Sequence, residues 1–128
     1  ITYTIRDLDV FWLQQMENYQ VIITNMNSLI NMSSLPKEQI KNFFSLFKSK
    51  IKEIKFDICE LLKFYVSERK KIIDTKLKEI LTVKDISRLP AAVEDLRYII
   101  ESTSRTWQNL EKFYHQELNP LMEKVSNL

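Results

Sequence analysis

The stretch Ile40–Tyr65, IKNFFSLFKSKIKEIKFDICELLKFY, decides the fold class of this chain. Its large apolar residues recur in alternating steps of four and three, a spacing that brings them onto one face of an α-helix. Nothing in the stretch interrupts that spacing, so it predicts a long amphipathic helix. The face consists of Ile40, Phe44, Phe47, Ile51, Ile54, Ile58, Leu61 and Tyr65.

The predicted helix extends beyond this stretch in both directions, over roughly residues 36–83. Ser34 supplies a candidate N-terminal cap. Pro36 fits a first helical turn, because the N–H that proline lacks would have no helical partner there.

A run of charged residues at positions 67–71 (SERKK) interrupts the apolar spacing of this helix. None of the five residues is a strong helix breaker, so we expect one continuous helix with a shift in phase near Arg69. The alternative is a break at Ser67, which would give four helices instead of three.

The N-terminal part of the chain carries its own apolar stripe and predicts a helix over about Ile5–Asn31. Thr4 can cap its start, with Asp7 three residues later as the reciprocal partner. Asn31 is expected to end the helix in the role that glycine often plays. The stripe comprises Ile5, Leu8, Trp12, Met16, Tyr19, Ile23, Met26 and Ile30.

The C-terminal part predicts a third helix that starts at Pro90, after a short connector over residues 84–89. Pro120 lies within its stripe, and proline both removes a hydrogen-bond donor and clashes with the carbonyl four residues earlier. We therefore expect a kink around His115–Asn119. The stripe comprises Val93, Leu96, Ile100, Thr103, Trp107, Leu110, Tyr114, Leu118, Leu121, Val125 and Leu128.

The chain has 128 residues and no glycine, although average usage is about 7%. Glycine lets a backbone adopt positive φ or pass close to a ligand, and phosphate-binding loops, dinucleotide turns and nucleophile elbows depend on it. Its absence, together with three amphipathic stripes, predicts an all-α protein. We expect no catalytic activity, no cofactor and no metal site.

Composition indicates one folded domain over residues 1–128. The net charge of +2 is too small to imply a polyanionic partner, and no run of 18 apolar residues is present. The single cysteine precludes an internal disulfide, which favours a reducing, cytoplasmic compartment. Because the chain starts with Ile1 and not Met, we expect a processed protein or a piece of a longer chain.

Short connectors make successive helices antiparallel neighbours, and the stripes are wider than a two-stranded seam. The sequence therefore predicts an elongated antiparallel three-helix bundle with a long central helix. Residues 1–35 carry one basic and three acidic side chains. Residues 36–84 carry thirteen basic and seven acidic side chains, and residues 85–128 carry five basic and seven acidic ones. A basic helix is therefore expected between two acidic ones. From their lengths of about 40, 70 and 55 Å, the three helices should overlap only around Phe47–Leu62.

Beyond this overlap, two helices continue alone, and a helix pair cannot bury a full apolar stripe unaided. Contiguous apolar surface of that kind marks an interaction site. The stretch near the second connector therefore predicts a surface for a partner helix or for self-association. Its candidate residues are Ile80, Leu81, Val93, Leu96 and Ile100.

The densest basic stretch predicts a second, electrostatic surface that is exposed to solvent. Interleaved acidic residues also allow an ordinary solvated helix face with internal ion pairs. As a functional surface it would contact an acidic partner or an anionic membrane. Nucleic acid is disfavoured, because no aromatic-interleaved basic patch accompanies the stretch. The candidates are Lys63, Arg69, Lys70, Lys71, Lys76 and Lys78.

Few residues offer reactive chemistry. His115 with Glu111 lacks the Glu-x-x-His spacing of di-metal bundles, so we expect a solvated histidine. Cys59 has apolar neighbours in sequence, which predicts a buried and inert thiol. Trp12 and Trp107 lie on apolar stripes and are expected in the core.

These patterns favour a non-catalytic helical interaction module or scaffold, a complex subunit that assembles with partner helices through coiled-coil-like packing. The alternative is a lipid- or membrane-surface-binding helical bundle, with apolar stripes on lipid and lysines on headgroups. An assembly module should form a defined oligomer or require a protein partner, whereas a lipid binder should open on vesicles.

Overall fold

The computed structural model describes residues 3–32, 34 and 36–127. Within this part of the chain, 93% of the residues are helical and none lies in a strand, which confirms the predicted all-α class. The helices are α1 (Ile5–Met32), α2 (Lys37–Leu81), α3 (Leu89–Phe113) and α4 (Asn119–Ser126). A 3₁₀ turn (Ile86–Arg88) precedes α3, and a π-helical turn (Tyr114–Leu118) joins α3 to α4. The predicted stripe residue Leu128 lies outside the described residues.

The start of α1 is capped as the sequence predicted. The backbone N–H of Asp7 donates to Thr4 Oγ1 at 3.1 Å, and the backbone N–H of Thr4 donates to Asp7 Oδ2 at 3.0 Å. These reciprocal bonds satisfy two N–H groups that a helix start otherwise leaves to solvent. The pKa of Asp7 lies below its ordinary value of 3.8, because hydrogen bonding from the backbone N–H of Thr4, and then from its side chain, favours the carboxylate.

The connector between α1 and α2 differs from the prediction on both sides. Asn31 lies inside α1, which ends at Met32, and no described residue has a positive φ. Staying helical spares asparagine the steric cost of the left-handed region. On the other side, Pro36 and not Ser34 is the N-cap of α2, and it makes no side-chain hydrogen bond. Its carbonyl oxygen accepts from the N–H groups of Gln39 and Ile40 at 3.0 and 3.1 Å.

The central helix α2 is continuous over 45 residues. It passes through Ser67 without a break, so the four-helix alternative is wrong and the bundle has three long helices. The predicted shift in phase is absent as well, because Tyr65, Arg69 and Ile72 follow one another on the inward face at steps of four and three. Arg69 is only 4% exposed. The charged run therefore contributes one residue to the core and does not interrupt it.

All three helices share one core along much of α2. Near one end of the shared region, Asp9 of α1 bonds Tyr65 at 3.0 Å, and near the other, Lys124 of α4 bonds Asn27 of α1 at 3.1 Å. The overlap predicted around Phe47–Leu62 is too short, because Asp9 of α1 contacts Tyr65 and Ile5 borders the same groove as Ile72. The buried apolar residues are Ile5, Leu8, Trp12, Ile23, Met26, Ile51, Ile54, Ile58, Tyr65, Ile99, Leu110, Phe113, Leu118, Leu121 and Val125.

The disturbance predicted around His115–Asn119 is a π-helical turn. The N–H of Asn119 donates to the carbonyl oxygen of Tyr114, five residues earlier. Such a turn inserts one extra residue, here just before Pro120, whose missing N–H interrupts the helical hydrogen bonds. Because the extra residue rotates the following helix, Leu118, Leu121 and Val125 all return to the core.

The helices α2 and α3 continue together beyond the start of α1. Ile5, in the first turn of α1, borders the same groove as Ile72 and Ile99. Farther along, residues 73–98 form a two-helix hairpin, which an ion pair between Lys76 and Asp95 crosses at 3.2 Å. The 3₁₀ turn closes its tip. Beyond Lys76 and Asp95, which border the groove beside Arg6 of α1, α2 and α3 have no third helix beside them within the part of the chain that the structure describes.

Replacing Thr4 with alanine should lower the free energy of unfolding by about 1 kcal/mol, because it removes the acceptor of the Asp7 N–H. Thermal unfolding followed by circular dichroism should show a midpoint lower by roughly 4 °C. Ser34→Ala is the matched control at the other helix start, and its midpoint should stay within about 1 °C of the parent. Equal losses in the two variants would contradict the capping assignment.

Acid should weaken the cap at Asp7. Because the folded-state pKa of Asp7 is lowered, its contribution is present above the unfolded pKa and is lost as the pH falls through the folded pKa. The parent should therefore lose more stability than Asp7→Asn when the pH is lowered from neutral to below about 3.8. Urea unfolding at a series of pH values measures the difference, and parallel curves for the two proteins would refute it.

Candidate functional site

The chemically reactive side chains do not form a cluster. In the ranges that the structure covers, no three His, Cys, Asp or Glu side chains are grouped so that they could hold a metal ion. His115 is exposed, as expected. Cys59 is exposed and not buried, because it lies beside the inward face of α2 that Ile58 occupies. The described helices include none that is long and apolar enough to cross a bilayer.

Arg69 occupies the centre of a buried polar cluster and not an exposed basic surface. Its Nη1 donates to the Tyr65 hydroxyl at 2.8 Å, and its Nη2 donates to the carbonyl oxygen of Ile99 on α3. The guanidinium carbon also lies 5.5 Å from the centre of the Tyr65 ring. The sequence placed Arg69 in a solvated patch, but its long side chain crosses the core from α2 to α3.

The Tyr65 hydroxyl connects the cluster to the other two helices. It donates its single proton to Asp9 Oδ1 at 3.0 Å, so the Thr106 hydroxyl, 3.1 Å away, acts as a donor to Tyr65. Ser102 donates to the second carboxylate oxygen of Asp9. Burial raises the pKa of Tyr65 above its ordinary value of 10.0, with a further contribution from the Asp9 carboxylate. The hydroxyl therefore stays protonated and remains a donor at neutral pH.

The side chains of this cluster are mostly buried, so we interpret it as a group that stabilises the fold. Asp9 and Arg69 make no ion pair within 4.0 Å and are bridged by the Tyr65 hydroxyl. Two buried nitrogen atoms, Arg69 Nε and Trp12 Nε1, have no hydrogen-bond partner among the residues that the structure describes. Hydrogen bonds are directional, so a cluster with members on α1, α2 and α3 selects one axial position for each helix.

The other members of the predicted basic surface are divided between ion pairs and solvent. Lys63, Lys71 and Lys76 each lie within 3.3 Å of a carboxylate oxygen. The hydrogen bonds that Lys76 Nζ donates to Asp95 and then to Glu79 raise the pKa of Lys76 above its ordinary value. Lys70 and Lys78 are exposed, with no ion pair among the described residues. The six residues therefore do not form one continuous basic patch.

An apolar strip lies on the flank of α2 that faces away from α1. The flank that faces α1 is marked by Phe64, whose ring packs edge-on against Tyr3 and Phe11 with centroids 5.8 and 6.1 Å apart. Val66, two residues later, points to the other flank because successive helical residues are 100° apart. On that side α2 and α3 present two facing rows, which we call the outer seam. It comprises Val66, Ile73, Leu77, Ile80, Leu81, Leu89, Val93, Leu96, Ile100 and Trp107.

The outer seam contains all five residues of the predicted partner surface. Leu81, Val93 and Ile100 are exposed, while Ile80 and Leu96 are half-buried between the two helices. The sequence assigned Trp107 to the core, but it is exposed and donates its ring N–H to Glu111 at 2.9 Å. Its spacing from Leu89, Val93, Leu96 and Ile100 places all five on one row of α3, but the spacing does not tell whether that row faces the core.

A separate groove of about 630 Å³ lies on the opposite side of the hairpin, where α1 begins. It has an apolar floor that includes Ile5, Ile72 and Ile99, and a rim of mixed charge. The rim charges are Arg6, Glu68, Lys71, Lys76 and Asp95. Lys76 binds Asp95 across the hairpin and Lys71 binds Glu68, so among the described residues Arg6 is the one rim charge outside an ion pair.

No protein-family model, curated protein or solved structure matches this chain.

Removing the Tyr65 hydroxyl should destabilise the protein by about 1–3 kcal/mol, because Asp9 and Arg69 then keep buried polar groups without their partner. Tyr65→Phe tests this in urea unfolding. Tyr19→Phe is the matched control, since it removes the same atom from a half-buried tyrosine of α1 with no described hydrogen bond, and it should change stability by less than about 0.5 kcal/mol. A Tyr65→Phe protein as stable as the parent would show that the cluster contributes nothing.

Proposed function

We propose that this protein is a non-catalytic helical module that assembles with partner helices through the outer seam. One observation supports this proposal: the α2–α3 pair carries two facing apolar rows, and six of their ten side chains are exposed. Single exposed apolar residues are ordinary on a protein surface, whereas a contiguous apolar strip is typical of an interaction site.

The spacing of the outer seam suits a helix as its occupant. Residues 89, 93, 96, 100 and 107 of α3 follow steps of four, three, four and seven, the period of coiled-coil seams. On α2, residues 66, 73, 77 and 80 keep the same period. A helix in the groove between two such rows can pack its own apolar side chains against both, with axes about 8–10 Å apart.

We assign a second copy of this chain as the partner. Two copies related by a two-fold axis present the same surface to each other, and this is the commonest symmetry of homo-oligomers. Pairing two hairpins in this way would convert two half-exposed helix pairs into one four-helix arrangement. It would remove Leu81, Ile100 and Trp107 of both copies from water, which is the main source of free energy in association.

Replacing Val93 and Ile100 together with glutamine should abolish self-association while leaving the helical fold intact. The parent chain should form a dimer within a range of about 1–300 µM, measured by sedimentation velocity. Circular dichroism checks that the variant keeps its helix content, because both side chains are already exposed and their replacement opens no cavity in the core.

Val10→Gln with Val21→Gln is a matched control on the outer face of α1. Val10 and Val93 are both 47% exposed, and Val21 and Ile100 are 54% and 58% exposed, so the two double variants remove similar apolar surface. The control should dimerise like the parent. A parent that remains monomeric over the whole range, or an equal loss in both variants, would contradict this proposal.

A further inference from the structure

A row of lysines follows one flank of the first half of α2. The residues are separated by seven, four and three positions, so they lie along one side of the helix over about 21 Å. Three of the side chains are exposed and the last is half-buried. The lysine row comprises Lys41, Lys48, Lys52 and Lys55.

The positive charge of this row is not compensated within the described residues. Between positions 41 and 56 the chain has five lysines and a single acidic residue, Glu53. Lys50, which lies outside the row, already binds Glu53 at 3.2 Å. None of the four row lysines makes an ion pair in the part of the chain that the structure covers.

The arrangement lowers helix stability through repulsion between like charges. Lys48 and Lys52 are four residues apart and Lys52 and Lys55 three apart, and like charges at these spacings repel on a helix surface. Ile51 and Ile54 of the same turns are buried, so the core is built without the lysines. A repulsive row that the fold does not need is a reason to look for an anionic partner.

The row lies on an accessible side of the bundle. The flank of α2 that faces α1 carries Asp57, Leu61 and Phe64, which line a groove with Tyr19 and Phe11. The lysine row lies on the other flank, since Lys52 is two heptads before Val66 of the outer seam. The row therefore does not face α1.

An exposed aromatic ring accompanies the row. Phe56 is 64% exposed and lies one helical turn after Lys52. Lysines beside a solvent-exposed phenyl ring are the combination that interfacial helices use, with the charges at the headgroups and the ring at the acyl boundary.

We propose that the lysine row and Phe56 bind the surface of a membrane that contains anionic lipids. Lysine ammonium groups are point charges that suit the diffuse negative potential of such a surface. The row contains no arginine, the residue whose planar fork favours bidentate phosphate contacts in nucleic acid. A protein helix as occupant would need an apolar row between the charges, and Phe56 is the single large apolar side chain exposed on this stretch of the flank.

This proposal rests on residues outside the outer seam, so it stands or fails separately from self-association. The full chain is incubated with vesicles of phosphatidylcholine containing about 30 mol% phosphatidylserine at about 0.1 M salt, and sedimentation measures the bound fraction. We expect binding that weakens steeply as salt is raised to about 0.5 M. Vesicles of phosphatidylcholine alone should bind at least about tenfold less.

The decisive variant neutralises the three exposed lysines of the row, Lys41→Gln, Lys48→Gln and Lys52→Gln. It should lower vesicle affinity at least about tenfold. The control variant, Lys78→Gln, Lys84→Gln and Lys112→Gln, changes the net charge equally at exposed lysines elsewhere and should lower affinity less than about threefold. Circular dichroism verifies the fold of both.

Phe56→Ser provides a second readout. It should weaken binding severalfold at every salt concentration while leaving the salt dependence unchanged, because it removes the apolar contact and none of the charge. Each of four results would overturn the proposal. They are no binding of the parent, equal losses in the two lysine variants, loss in the Val93→Gln, Ile100→Gln protein but not in the row variant, and tighter binding of single-stranded poly(U) than of vesicles at the same salt.

Discussion

The structure depends on one buried group of hydrogen bonds, formed by Tyr65, Arg69 and Asp9 with partners on α3. Apolar stripes hold helices together without specifying how far one is displaced along another, because the hydrophobic effect is not directional. The Tyr65 hydroxyl bonds Asp9 of α1, Arg69 of α2 and Thr106 of α3. All three bonds can form together only when each helix has one position along its axis relative to the others. This position determines where α1 begins relative to the other two helices.

That register explains why the hairpin stands free. With Asp9 held at Tyr65, the capped start of α1 falls near Ile72, and α2 and α3 continue past it from Lys76 and Asp95 to the tip of the hairpin. The capping bonds of Thr4 and Asp7 then define where helical structure of α1 starts. At the C-terminal end of the chain, the π-helical turn lets the helix continue past Pro120 as α4, which packs along the first half of α2. The bundle is therefore closed by three helices at one end and open at the other.

The open end and the lysine row share a physical feature: each lowers local stability, and no contact within the fold offsets the loss. Exposed apolar side chains and adjacent like charges each reduce the stability of an isolated helix pair. Departures from locally consistent sequence choices are expected at functional positions. Both features lie along one flank of α2, the lysines in its first half and the outer seam in its second half. This flank is therefore where we assign both proposed contacts.

Local patterns in the sequence predicted the helices, their order, the cap at Thr4 and the position of the proline-induced disturbance, because apolar period, capping and proline sterics act over a few residues. They also supplied the five residues of the predicted partner surface. Which flank of each stripe is covered depends on how the helices pack together. Arg69 is inside while Trp107 and Cys59 are outside, because their environment depends on the neighbouring helix and its register, and helical periodicity carries no information about either.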